Sequence, residues 1–151
     1  MEKIEIGKSP FAQVDHVGIV VKNLDQAVAH YESLGIGPFE TLVLKVVSRS
    51  LRGKPINDLK IKVKMANVKP IKFELIEPVS GTGSIWQEFL DRHGDGLMHI
   101  AFHVDDIEKE VALLTSKGYK ILYGARFADG GGGIYFETDQ DGGALFELTT
   151  V

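Results

Sequence analysis

Hydrophobic and polar residues follow the same order in two stretches of this chain, residues 14–35 and 97–118. Each stretch opens with an alternating apolar run, which predicts a short β-strand. A polar residue, Asn23 or Asp106, then precedes apolar positions at helical spacing, and Gly35 or Gly118 follows them. Asn and Asp favour helix N-caps, whereas glycine favours the residue after a helix. Each stretch therefore predicts a strand followed by an amphipathic helix.

The sequence after each helix repeats as well, since residues 71–76 (IKFELI) resemble residues 144–149 (ALFELT) and align Glu74 with Glu147. Further β-type runs at 42–47 and 59–65, and at 120–123 and 134–137, come before these glutamates. Each copy is therefore a βαβββ module. We expect an N-terminal extension (1–13), a first module (14–78), a linking segment (79–96) with a helix at 84–91, and a second module (97–151), all in one domain.

The composition is typical of a soluble globular protein, with 151 residues, 44% of them hydrophobic and 25% charged. The chain has no cysteine, which excludes disulfides, thiolate metal sites and a cysteine nucleophile. The first residues lack the apolar core of a signal peptide, and no run approaches the ~18 apolar residues that span a bilayer. We therefore expect a cytoplasmic protein with no membrane partner.

Charge is distributed unevenly along the chain. Residues 41–73 contain nine basic residues and one acid, a net charge of +8, whereas the remainder has eight basic and twenty acidic residues, a net charge of −12. The basic stretch is typical either of a site for an anionic ligand or of lysines that keep sheet edges soluble. Nucleic acid is not expected as a partner, because the acidic remainder would repel it.

Two histidines and two glutamates occupy equivalent places in the two modules: His16, His99, Glu74 and Glu147. If the modules pair about a pseudo-two-fold axis, these four side chains converge. Imidazoles and carboxylates are a competent ligand set for a divalent ion such as Zn, Co, Ni, Mn or Fe. Gly18 and Ala101 each follow a histidine on the same strand face, which would leave room above the metal. By contrast, residues 130–133 lack phosphate-loop spacing and predict a turn.

The paired modules resemble the vicinal oxygen chelate superfamily over about residues 14–151. Residues 73–107 join a glutamate–proline pair (Glu77-Pro78) through a helix to the strand of His99, and they are similar to the methylmalonyl-CoA epimerase branch. The resemblance implies an α+β fold in which two βαβββ modules form a curved mixed β-sheet around a metal-binding cavity, with helices on the outer face. It also implies a homodimer and one divalent ion (Co, Zn, Mn or Ni) on His16, Glu74, His99 and Glu147.

The resemblance implies a metal-dependent epimerase that removes the α-proton of a 2-substituted acyl-CoA thioester and passes through an enolate. Glu147 is one expected acid/base, and the second is Glu74 or, if desolvation lowers its pKa, Lys62. If neither residue can serve, the protein is not an ordinary epimerase. Lys62 and Lys72 are the expected substrate-binding residues, because coenzyme A phosphates favour basic partners. Lactoylglutathione lyase activity of the glyoxalase I type, and a non-catalytic small-molecule binding protein, are the alternatives.

The sequence departs from the epimerase pattern in three places. Met98 precedes His99 where a second histidine is usual, and residues 41–68 are longer and more basic than expected. Lys62 aligns where some epimerases have a second catalytic carboxylate. The identity of the second acid/base is therefore the open point of the predicted mechanism.

Overall fold

The computed structural model describes residues 1–151 and has ten β-strands and three α-helices. The strands are β1 (Val14–Val20), β2 (Glu40–Thr41), β3 (Val46–Leu51), β4 (Lys54–Ile56), β5 (Lys60–Val68), β6 (Ile71–Ser80), β7 (Gly96–His103), β8 (Ile121–Phe127), β9 (Gly132–Phe136) and β10 (Leu145–Thr149). The helices are α1 (Leu24–Ser33), α2 (Ile85–His93) and α3 (Ile107–Ser116). No helix is long and apolar enough to cross a membrane.

The chain forms two compact units, each built from separated segments. The His16 unit contains His16–Leu44 and Asp58–His99, and the Glu147 unit contains Met1–Asp15, Lys45–Asn57 and Ile100–Val151. Strand β7 contributes its residues up to His99 to the first of these units and the rest to the second.

The His16 unit has a mixed sheet in which β2, β5, β6, β1 and β7 are neighbours in that order. Strand β1 runs parallel to β6, and β5 runs antiparallel to β6. Helix α1 starts where predicted, because the Asn23 side chain accepts a hydrogen bond from the Gln26 backbone N–H at 3.0 Å. The helix packs on one face of the sheet over a core of Val21, Leu24, Phe39, Ala66 and Leu75.

In the Glu147 unit, β10, β9, β8, β3 and β4 are neighbours in that order, with antiparallel pairing throughout. Asp106 caps α3 as predicted, accepting from the Lys109 backbone N–H at 3.1 Å. The helix covers one face of this sheet through a core of Phe102, Val104, Ile107, Val111, Leu114, Ile134, Phe136 and Leu148. Helices against a mixed sheet give the α+β fold class that the sequence predicted.

Part of the basic stretch forms a hairpin of β3 and β4 that was not predicted from the sequence. The predicted strand at 42–47 is wrong in its bounds, because β2 is already complete at Thr41 and β3 begins at Val46. Strand β3 pairs with β4 and with β8, so the hairpin extends the sheet of the Glu147 unit. Arg52 and Gly53 have φ angles of 48° and 81° in the tight turn between β3 and β4. The pairing of β3 with β8 could not be predicted, because strands that are distant in sequence share no local pattern that shows they are partners.

The linking helix and the glycine-rich segment also differ from their predictions. Helix α2 spans Ile85–His93 rather than 84–91, and Ser84 caps it by accepting from the Gln87 backbone N–H at 3.0 Å. Residues 130–133 are only partly a turn, because Gly132 and Gly133 lie inside β9. A glycine inside a strand often marks a place where another group approaches the backbone closely.

Residues 1–13, for which the sequence predicts no role, are part of the Glu147 unit and pack within it through Phe11. Its ring contacts those of Phe102 and Phe146, with centroids 5.4 and 5.1 Å apart. We expect Phe11→Ala to lower the free energy of unfolding by about 2–3 kcal/mol, because it removes a half-buried aromatic side chain. Urea denaturation measures this loss, and Ile6→Ala is the control since Ile6 is fully exposed. Equal stability of the two variants would contradict the packing role.

Candidate functional site

Three neighbouring strands of the His16 unit place His16, Glu74 and His99 together. Side chains alternate between the faces of a strand. Leu75 of β6 packs in the α1 core, so the adjacent Glu74 points to the opposite face. His16 of β1 lies in register with Lys72, two residues before Glu74, and points to that same face. All three site residues are buried, with 3%, 7% and 0% of their surface exposed.

The ligand atoms of these three residues surround one point. Nε2 of His99 lies 3.4 Å from Nε2 of His16. Oε1 of Glu74 lies 3.4 Å from Nε2 of His99 and 3.6 Å from Nε2 of His16. Ligands about 2.0–2.2 Å from a zinc-sized ion stand roughly 3.0–3.4 Å from one another, so the observed triangle is close to one face of such a coordination shell. This buried cluster could hold a divalent metal ion, as the sequence predicted.

The Glu74 carboxylate is held in its ionised form. Burial opposes its ionisation, but hydrogen bonds and positive charge from His16 and His99 outweigh burial and lower its pKa to about 2. An ionised carboxylate is the form that binds a cation. The charge that an ion would require is therefore already present.

Gly18 makes the position of His99 possible. A Cβ atom built on Gly18 would overlap Cε1, Nδ1 and Nε2 of the His99 ring. The small residue at 18 follows His16 on the same strand face, which predicts room for a ligand above the metal. The structure corrects this: the space over Gly18 is filled by the imidazole of His99 itself.

Glu147 has a comparable position in its own unit. It is 7% exposed on β10, and its neighbour Leu148 packs in the α3 core, so Glu147 points to the other face. A Cβ on Gly133 of β9 would overlap Oε2 of Glu147. The close approach of Glu147 to Gly133 was not predicted, although a glycine within a β-type run is an available signal for it.

The two lysines predicted to bind substrate lie on opposite faces of the His16 sheet. Lys72 is half-buried and shares the face of Glu74, two residues along β6. Lys62 lies in register with Glu77, and its Nζ is 3.8 Å from Oε2 of Glu77. Met65 is the cross-strand partner of Glu74 and shares its face of the sheet. Lys62 lies three residues before Met65 on β5, so its side chain points to the other face, which is the α1 face. That placement removes Lys62 as the second acid/base.

The chain is similar to known proteins in both sequence and structure. A profile of the Glyoxalase/Bleomycin resistance protein/Dioxygenase superfamily matches residues 15–136. Methylmalonyl-CoA epimerase from Mycobacterium tuberculosis is similar in structure, with a TM-score of 0.71, 25% identity and coverage of 95% of this chain and 91% of that chain.

A variant of Streptomyces coelicolor methylmalonyl-CoA epimerase in complex with 2-nitronate-propionyl-CoA gives a TM-score of 0.66, 25% identity and coverage of 91% and 96%. The uncharacterized protein YqjC of Bacillus subtilis (strain 168) is 25% identical over 139 residues, 90% of each chain. Because the profile covers most of the sequence, the chain belongs to the Glyoxalase/Bleomycin resistance protein/Dioxygenase superfamily.

Proposed function

We propose that this protein is a metal-dependent epimerase of a 2-substituted acyl-CoA thioester, similar to methylmalonyl-CoA epimerase. The observation that carries the proposal is the buried triangle of His16, His99 and Glu74, whose ligand atoms lie 3.4–3.6 Å apart. Two structurally similar proteins are methylmalonyl-CoA epimerases, which supports the choice of reaction.

Glu147 is the fourth ligand in this proposal. Its alignment with Glu74 in the sequence repeat, its burial on β10 and the room left for its carboxylate by Gly133 support the assignment. A set of two imidazoles and two carboxylates favours Co, Zn, Mn or Ni over softer ions.

The proposed mechanism assigns proton transfer to the two glutamates. A divalent ion bound here would supply Lewis-acid stabilisation of the charge that develops on the thioester oxygen. Glu147 accepts the α-proton of one epimer. Glu74, which is ionised before the reaction, takes up a proton from solvent and delivers it to the opposite side of the carbon. Lys72, on the face of Glu74, contacts the anionic part of the substrate.

Proton exchange in deuterated water tests the proposal. We expect the metal-loaded protein to convert one epimer of methylmalonyl-CoA into the other with deuterium at the α-carbon, followed by mass spectrometry and chiral analysis. Exchange without a change of configuration would contradict the two-base assignment. The Glu147→Gln variant is the comparison, and we expect it to lose both exchange and epimerisation.

Lactoylglutathione lyase activity is the second candidate, because paired glutamates at Glu74 and Glu147 also suit an enediolate mechanism. Methylglyoxal with glutathione, assayed in parallel, separates the two reactions. Bound metal with no turnover of either substrate would instead indicate a small-molecule binding protein.

We also propose that the protein acts as a cytoplasmic homodimer. Light scattering of the purified protein should then give twice the chain mass of 16.6 kDa. A monomeric mass would overturn the proposed assembly without affecting the proposed reaction.

A further inference from the structure

The corner where β1 leads into α1 is held by carboxylates from both sides. Strands β6 and β7 are the neighbours of β1 in the sheet of the His16 unit. Oε1 of Glu77, on β6, accepts a hydrogen bond from the Leu24 backbone N–H at 2.8 Å. Oδ1 of Asp95, the residue before β7, accepts from the Lys22 backbone N–H at 3.0 Å. The corner is therefore tied to the two other strands that supply residues of the buried triangle.

Glu77 acts from the side of the sheet opposite to the triangle. Leu75 packs in the α1 core, and Glu77 follows it by two residues on β6, so both side chains point to the α1 face. Glu74 points to the other face. Glu77 is therefore neither a metal ligand nor an acid/base at the proposed centre. Its hydrogen bond to Leu24 is the interaction that accounts for a largely buried carboxylate, 19% exposed, at this place.

The pairing of β1 with β6 depends on anchors of this kind. The two strands are parallel and distant in the chain, so no tight turn fixes their register, as a hairpin turn does for antiparallel neighbours. In the observed register His16 lies opposite Lys72, two residues before Glu74. A shift by one residue would turn His16 to the other face, and a shift by two would move it about 7 Å along the strand. The triangle exists only in the observed register.

We propose that Glu77 is a positioning residue of the metal centre, which holds β1 in register with β6 through its hydrogen bond to the start of α1. The inference rests on the proposed function, and it gives the Glu77-Pro78 pair a role that the proposed mechanism does not use. A hydrogen bond from a backbone N–H to a carboxylate is stronger than one between neutral groups. Asp95 acts in the same way on the β7 side with a smaller effect, because its hydrogen bond is exposed.

Co²⁺ binding to two Glu77 variants tests the proposal. We expect Glu77→Ala to weaken Co²⁺ binding about tenfold, at the lower end of the effect of groups that orient metal ligands. It should also shift the visible absorption bands of bound Co²⁺, because these bands report the coordination geometry. Glu77→Gln should bind within about twofold of the wild-type protein, because its amide oxygen still accepts from Leu24. Asp95→Ala should weaken binding about threefold.

Asn23→Ala is the matched control. Asn23 caps the same helix, but its hydrogen bond to the Gln26 backbone N–H lies within the first turn of α1 and joins no strands. We expect this variant to lower the urea midpoint about as much as Glu77→Ala does, while the affinity and spectrum of Co²⁺ stay unchanged. Hydrogen exchange of the Leu24 N–H in the metal-free protein, measured by NMR, should be faster in Glu77→Ala and remain slow in Glu77→Gln.

Equal loss of Co²⁺ affinity in Asn23→Ala and Glu77→Ala would overturn the proposal, because loss of helix stability would then explain both. Equal loss in Glu77→Gln and Glu77→Ala would assign the effect to the charge of Glu77 and reject the positioning role. Unchanged Co²⁺ binding in Glu77→Ala would also reject this role, while the proposed metal centre would stand. Weaker binding and a shifted spectrum in Glu77→Ala, with no epimerase turnover by the wild-type protein, would support the positioning role and reject the epimerase.

Discussion

Replacing His99 with alanine should abolish metal binding and activity. The imidazole is fully buried, and its Nε2 lies 3.4 Å from both of its partners, Nε2 of His16 and Oε1 of Glu74. Because outer-shell partners alone change metal affinity 10- to 100-fold, we expect loss of a direct ligand to cost at least about 100-fold. Metal content after purification without chelators, and titration with Co²⁺ or Zn²⁺, measure this effect. His16→Ala should behave in the same way.

The matched control is His30→Gln, which changes an exposed histidine of α1 in the same unit. We expect it to retain metal and activity. Thermal unfolding of the metal-free proteins separates loss of a ligand from loss of the fold, since removal of His99 also takes a partner from the buried Glu74 carboxylate. A folded His99→Ala variant with full metal content would exclude the proposed centre.

Gly18→Ala should have the second largest effect, although it adds only one methyl group. That group would overlap the His99 ring, whose planar imidazole cannot bend away as a flexible chain end can. We expect the variant to lose about 1–3 kcal/mol of unfolding free energy through overpacking, and about 100-fold in metal affinity because the ring must move. Denaturation and metal titration on the same samples measure both quantities.

Alanine substitutions at two other glycines serve as comparisons for the expected loss of stability and metal affinity. Gly96→Ala in the same unit should be mild, because its new Cβ would meet only ring carbons of Phe89 at 3.8 Å. Gly133→Ala should lie between the two, because the Glu147 carboxylate that it meets is the end of a flexible side chain. If Gly18→Ala and Gly96→Ala bound metal equally well, Gly18 would not be what positions His99.

The residues of the candidate site could be predicted because the sequence repeats. The repeat aligns His16 with His99 and Glu74 with Glu147 in the sequence, and strand periodicity indicates that Glu74 and Leu75 face opposite sides. The repeat and the strand periodicity do not show which face of the sheet Lys62 and Lys72 take. Lys62 and Lys72 are both polar positions in β-type runs, yet only Lys72 shares the Glu74 face. The pairing of β5 with β6 decides that difference, because it fixes which face of the sheet each lysine takes.

The sequence by itself determined the strand and helix that open each module, the helix caps at Asn23 and Asp106 and the residue types of the candidate site, because local periodicity and repetition carry that information. Only the tertiary structure decided that β3 joins β8, that Glu77 meets the start of α1 and that Gly18 receives the ring of His99. Each of these depends on strands distant in the sequence, whose pairing brings no local pattern with it. The physical reason is that backbone hydrogen bonds can form between any two strands. The choice of partner strand and register is therefore made by the packing of the folded chain and not by the pattern along one strand.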